Sequence, residues 1–435
     1  MDLHIQKTSR QPRIVGTTGS RFATLDSTSK IVVDPLAATH QPNYFKALQW
    51  SPDGQVILTN SYDSTMRLFD TAMALSIDPD ISQPTDLVES VCIRSGEPIY
   101  DMKWYPFMSS SDPATCCFIS CSRDHPVQLW DAYSGQLRGT YMTKDHVDQV
   151  SAPISLAFNL DGSKIFCGLE GRLQIFDTGR PGTDSEVVAL TPCRRSSDGQ
   201  KGLVSSIAFS PDQSGLLGVG TYSGQVGLYD STTHGCVQLL EPSWRHGVTQ
   251  VQFSTTTATT LLFAASRLAS AIECWDLRML GRAPLGRFSL CGATQQRLAF
   301  DVTSAGSKMY LVSGDRVGDV RVYDVMTALD VAAAEVGEDS DAVLVMDTPW
   351  CQVSGASCAA VSSTQFHPYA PFVAMCCGER RLASAVEESD SEVDNDDDDD
   401  HHLASSTIGD SASAKATKPM DCRLAIFKWD QLTQP

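Results

Sequence analysis

Arginine outnumbers lysine 22 to 11 in this chain, and it recurs with aromatic residues at polar junctions between apolar runs. Arg123, Arg172, Arg267, Arg316 and Arg380 fall with Tyr62 and Tyr222 at one class of junction. Trp244, Arg245 and Arg297 fall at another. A guanidinium pairs bidentately with phosphate and stacks on a base, which an ammonium does less well. Cations interleaved with stacking planes are what recognition of unpaired RNA requires. The plain alternative is structural. An arginine in a turn also pairs with a turn aspartate, so any single one of these residues can be a local strut. Arg67 and Arg321, inside apolar runs, read as strand residues with local partners. His246 reads as a turn histidine held by hydrogen bonds, and Trp50, Trp104, Trp130 and Trp275 read as core.

Other chemistries find little support. The chain has no G-x-x-x-x-G-K-[ST] loop and no G-x-G-x-x-G, H-E-x-x-H or G-x-S-x-G motif. No catalytic residue, metal site or cofactor is expected. His401 and His402 follow five aspartates, but a loop of that composition offers a metal no fixed geometry. The 14 cysteines form no C-x-x-C pair and mostly sit in apolar runs such as "CCFISC" and "FVAMCC". There they act as small hydrophobes. With no apolar run at the N-terminus, the expectation is a reducing, intracellular compartment. The uncharged stretch from Val248 to Ser266 is Thr-rich and reads as two strands, not a membrane helix.

The formal charge is −19, yet ten acids lie between Glu387 and Asp400, and the remainder of the chain is −9. Residues 383–420 are poor in apolar side chains and read as a disordered acidic insertion. Ser389 and Ser391 each have an acid three residues on, which suits an acidophilic kinase. Phosphate there would add negative charge able to compete with RNA for the arginines.

What must position those junctions is a repeat. An apolar run ending in an aromatic and an aspartate recurs at Asp70, Asp131, Asp177, Asp230, Asp276 and Asp324, with spacings of 61, 46, 53, 46 and 48 residues. A degenerate seventh copy, "RLAIFKW", ends at Trp429. This is the signature of WD40 β-propeller blades. The first unit shows the rest of a blade. "FKALQW" alternates as a strand, "SPDG" turns, "QVILTNS" is a buried strand, "MRLFD" the third, and a fourth lies near "LVESVCI". The fold class is therefore all-β, a seven-bladed propeller over residues 21–429. Residues 1–20 are expected as a flexible N-terminus and 430–435 as a tail. Only six residues follow Trp429, so an N-terminal strand must complete the last blade. Residues 21–33, "RFATLDSTSKIVV", are the expected source.

The sequence further resembles the telomerase Cajal body protein family. The segments that carry the resemblance include "NYFKALQWSPDGQVILTNSYDSTMRLFD", "SRDHPVQLWDAYSGQLR", "DGSKIFCGLEGRLQIFDTGRPG", "LLFAASRLASAIECWDLR" and "CRLAIFKW". It runs from about Asn43 to Trp429, and the acidic insertion falls where the family has one. The resemblance implies a non-enzymatic nuclear scaffold. Its partners would be a small nuclear or telomerase RNA with a CAB-box-like loop and the proteins of H/ACA-type ribonucleoproteins, with no membrane and no direct DNA contact. It implies a nuclear location, in the Cajal body or its equivalent, with the cytoplasm as a second compartment. The alternatives are a protein-only nuclear WD40 adaptor, for example in spliceosomal particle assembly, and a ubiquitin-ligase substrate receptor. For the latter no docking element is visible.

Overall fold

The structure is a computed structural model. It describes residues 12–19, 43–76, 83–145, 149–192, 196, 199–254, 261–278, 283–306, 308–336, 343–379 and 422–429. These residues form seven antiparallel sheets, the seven blades of a propeller. The strands of each blade are lettered a to d from the central channel outward. The seven a strands are Phe45–Trp50, Ile99–Trp104, Ser155–Phe158, Val204–Phe209, Val248–Phe253, Phe300–Ala305 and Val361–Phe366.

Six of the seven repeats read in the sequence end where a c strand ends, at Asp70, Asp131, Asp177, Asp230, Asp276 and Asp324, and the seventh runs one residue past Leu424–Lys428. The recurring aspartate is a turn device. In five blades its Oδ1 accepts the backbone N–H two residues on, at Ala72, Tyr133, Gly179, Thr232 and Arg278. That satisfies a turn donor which would otherwise have only water. In the sixth, Asp324 instead precedes a helix over Val325–Val336. Val325, Leu329 and Ala332 lie on one face of that helix and are buried between blades 5 and 6.

Seven apolar clusters fill the seven blade-to-blade interfaces. The b strands need both faces covered and are buried over most of their length. Cys117–Ser122 and Phe372–Cys377 are buried at every position. Each fully buried Phe or Leu contributes roughly 1.5–3 kcal/mol, and one blade alone could bury neither face. Trp50, Trp104 and Trp275 are buried as expected, and Trp130 is partly covered, its indole N–H on Ser120 Oγ at 2.9 Å. Arg67 and Arg321 are buried with local partners, Asp63 and Glu89 for the first and Asp315 for the second. His246 departs from expectation. It is exposed, and no side-chain hydrogen bond holds it among the described residues.

An N-terminal strand does complete the last blade, but it is not the expected one. Arg13–Thr17 pairs antiparallel with Leu424–Lys428 and supplies strand d of blade 7, inside the stretch expected to be a flexible terminus. Residues 21–33 lie outside the described residues, as do residues 383–420 and 430–435. Gly16 allows this closure, because a Cβ there would come within 3.0 Å of Ala74 Cβ and 3.2 Å of Leu87 Cδ2.

Two outer edges are then covered by the following blade. Thr85–Asp86 of blade 1 lies parallel to Gly16–Thr17 of blade 7, and Leu344–Met346 of blade 6 lies parallel to Gly286–Phe288 of blade 5. Pairing an exposed edge in this way removes a site of unwanted strand addition.

Candidate nucleic-acid interface at the channel mouth

The a strands carry a second ring of contacts that shapes the channel. On each of five blade pairs, an inner side chain accepts an N–H from the next a strand. The acceptors are Asp101 for Leu156, Ser206 for Val251, Gln250 for Phe300, Asp301 for Phe366 and Gln365 for Trp50. Asp101 and Asp301 are thereby committed to the scaffold. Asp301 also accepts from Val302 N–H and from Gln252 Nε2. Burial nevertheless pushes its carboxyl up to about 6, because those three donors only partly replace lost hydration.

Nearer the mouth, in five blades, strand a carries a β-bulge. A bulge inserts an unpaired residue and re-aims its side chain. In blade 1 that residue is Lys46, between Phe45 and Ala47, and in blade 2 it is Tyr100, between Ile99 and Asp101. Both line a central channel of about 1240 Å³.

The channel gathers cations in an acidic chain. Lys46, Lys103, Arg267, Arg297 and Arg316 line it. The carboxylates that line it are Asp101, Asp301 and Glu379, and the first two are the scaffold acceptors just described. Five cations against three carboxylates leave the lining with an excess of positive charge, and low-dielectric walls strengthen its field.

The expected arginines divide between this mouth and elsewhere. Arg267, in the b–c turn of blade 5, lines the channel with its guanidinium 4.4 Å above the Tyr222 ring. Its Nε is buried without a hydrogen-bond partner among the described residues. Arg316, in the b–c turn of blade 6, is exposed and holds the Ala293 carbonyl at 3.3 Å through Nη1. Arg123, in the b–c turn of blade 2, is exposed and places its Nε 3.4 Å from the hydroxyl of channel-lining Tyr100. Tyr62 stacks on Tyr44 with ring centroids 5.1 Å apart, and Tyr44 lines the channel.

The remaining candidates are not part of this cluster. Arg172 donates from Nη2 to the Lys144 carbonyl at 2.8 Å, a strut of blade 3. Trp244 turns inward, edge-on to Trp275 at 6.2 Å, and packs on the core between blades 4 and 5. Arg245 is exposed but does not line the channel. Arg380, Ser389 and Ser391 lie outside the described residues.

Two channel cations carried less weight in the sequence than they have in the fold. Arg297 was one rim cation among many, and Lys46 was a polar position of an alternating strand. Arg297 is half-buried and has no hydrogen bond or ion pair among the described residues. Burial, and then the charge of Arg297, pull the Lys46 ammonium down to about 8.

Comparison with known proteins fits this architecture. The family described as "WD domain, G-beta repeat" matches residues 36–70. Telomerase Cajal body protein 1 of Mesocricetus auratus is 34% identical over 351 residues, 81% of this chain and 61% of that protein. The Telomerase Cajal body protein 1 homolog of Drosophila melanogaster is 32% identical over 297 residues, 66% of this chain and 52% of that protein. The Guanine nucleotide-binding protein negative regulator 1 of Schizosaccharomyces pombe is 28% identical over 64% of this chain and 70% of its own length. The chain thus spans about three fifths of the Mesocricetus relative's length.

Proposed function

The chain is a WD-repeat β-propeller similar in sequence to the telomerase Cajal body proteins, and from that premise we propose that it is a non-enzymatic RNA-binding scaffold. The channel mouth captures a short unpaired loop of a small nuclear RNA, of the CAB-box type, in a Cajal-body or telomerase ribonucleoprotein. Other propeller surfaces hold the proteins of H/ACA-type particles, and the site of action is the nuclear body.

The observation that carries the reading is the pairing of cation and ring at the mouth. Arg267 lies over Tyr222, Arg123 lies beside Tyr100, and Arg316 stands open on the same rim. Phosphates meet guanidinium groups there while bases find stacking planes, and a single-stranded loop needs both.

The test is crosslinking and immunoprecipitation of the protein from cells, with sequencing of the bound RNA. Small RNAs sharing a terminal-loop motif are the expected result. Background RNA alone, with protein partners co-purifying, points to the protein-only adaptor. One observation favours that second reading. On the opposite face, Phe107 and Tyr369 stand exposed in the a–b turns of blades 2 and 7, where a protein could dock.

A further inference from the structure

Lys46 stands at the bulge position that Ser205 and Ser362 fill in blades 4 and 7, and Ser155 of blade 3 makes the same kind of bond from a regular ladder position. Ser155 Oγ donates to the Val204 carbonyl, Ser205 Oγ to Val248 and Ser362 Oγ to Phe45, in each case the first residue of the next a strand. Lys46 Nζ makes the same bond to the Ile99 carbonyl, at 2.7 Å. Joining adjacent blades therefore requires one short donor. Lys46 brings a full charge and two further N–H donors to a place where a hydroxyl suffices.

Arg297 adds a second cation. It comes from the connection between blades 5 and 6 and lines the same channel as Lys46 of blade 1. Neither side chain has a carboxylate within ion-pair distance among the described residues. Two half-buried cations in one channel without a carboxylate at ion-pair distance repel each other, and a dianion between them would reverse the sign of that interaction.

We infer that the throat of the channel, between Lys46 and Arg297, is a binding site for a phosphate group. The site deepens the RNA reading if the phosphate belongs to a nucleotide of the captured loop, and stands apart from it if the ligand is a free phosphorylated compound. A channel of about 1240 Å³ has room for either.

Two probes separate the sources. Inorganic pyrophosphate and an RNA hairpin with a CAB-box-type loop are titrated onto the full chain, and onto Lys46→Gln, Arg297→Gln and Lys46→Arg. Arg297 makes no bond that holds blades together, so its variant keeps the test valid even where Lys46→Gln fails to fold. If the phosphate is the RNA's, hairpin affinity falls at least tenfold in both Gln variants, and Lys46→Arg retains it. If the ligand is free, pyrophosphate binds the wild type and is lost at least tenfold in both, with hairpin binding unchanged.

The inference is overturned if Arg297→Gln, with wild-type melting, binds both probes as the wild type does, or if the wild type binds neither. The RNA reading fails separately, when the hairpin does not bind while pyrophosphate does. That reading survives without the throat when the hairpin is lost in Arg267→Glu and Arg316→Glu but not in the throat variants.

Discussion

The guanidinium of Arg267 lies 4.4 Å above the Tyr222 ring centroid, joining the b–c turns of blades 4 and 5 at the channel mouth. The ring holds the cation in place, and Arg267 lines the channel. A base or phosphate arriving there meets a side chain whose rotamer is already fixed, so less entropy is lost on binding.

Tyr222→Ala is therefore expected to weaken RNA binding about tenfold, a loss of ~1.4 kcal/mol within the range of one aromatic–base contact. Tyr222→Phe keeps the ring and retains affinity. Fluorescence anisotropy with the CAB-box-type hairpin measures both. Equal losses in the two variants would show that the hydroxyl, and not the ring, matters.

Closure through Arg13–Thr17 makes a stability prediction. Val15 is buried in the cluster between blades 7 and 1. Val15→Ala is expected to cost about 2 kcal/mol from lost burial and the cavity left behind. Removing residues 1–19 takes away the whole outer strand of blade 7 and should lower the melting midpoint further. An unchanged midpoint after that deletion would refute the closure.

Asp301 predicts a pH dependence. Its folded value, about 6, lies above the ordinary carboxylate range because burial disfavours the anion. Between about 4 and 6 the folded state thus binds more protons than the unfolded one, and stability from this group falls as pH rises. Asp301→Asn is uncharged throughout and removes that slope. Relative to Asp301→Asn, the wild type should lose about 2–3 kcal/mol between pH 4 and pH 7, at ~1.4 kcal/mol per unit. Chemical denaturation of both proteins across that range gives the difference. A parallel pair of curves would mean Asp301 keeps an ordinary value.

Much of this fold is legible in the sequence because its repeat is chemical as well as apolar. In five blades the c strand ends in an aspartate whose side chain bonds the turn that follows, at Asp70, Asp131, Asp177, Asp230 and Asp276. The closing strand leaves a weaker mark in the sequence. "RIVGT" is five residues with a glycine at the fourth, and residues 21–33 offer a longer strand-like stretch. The latches over Thr85–Asp86 and Leu344–Met346 are too short to show periodicity at all.

The site divides in the same way. Arg267 and Tyr222 are visible as turn residues, but that they meet across two blades is a property of the closed ring. Trp244 shows the limit of reading type without depth, since an aromatic beside a turn can face the core as well as a ligand. Lys46 shows the other limit. In "FKALQW" it is one polar residue of an alternating strand, and only the bulge turns it into the channel. The sequence signal for it is the comparison between blades, lysine where Ser205 and Ser362 stand in blades 4 and 7.

The most direct test of the central claim is a salt titration of hairpin binding by the wild type and by Arg123→Glu/Arg267→Glu/Arg316→Glu. Single-stranded RNA loses about 0.7 in log–log slope per phosphate contact. The triple variant should therefore bind at least a hundredfold more weakly at 0.1 M salt, with a slope shallower by about 2, while melting like the wild type. Equal affinity and equal slope in the two proteins would contradict capture of RNA at the channel mouth.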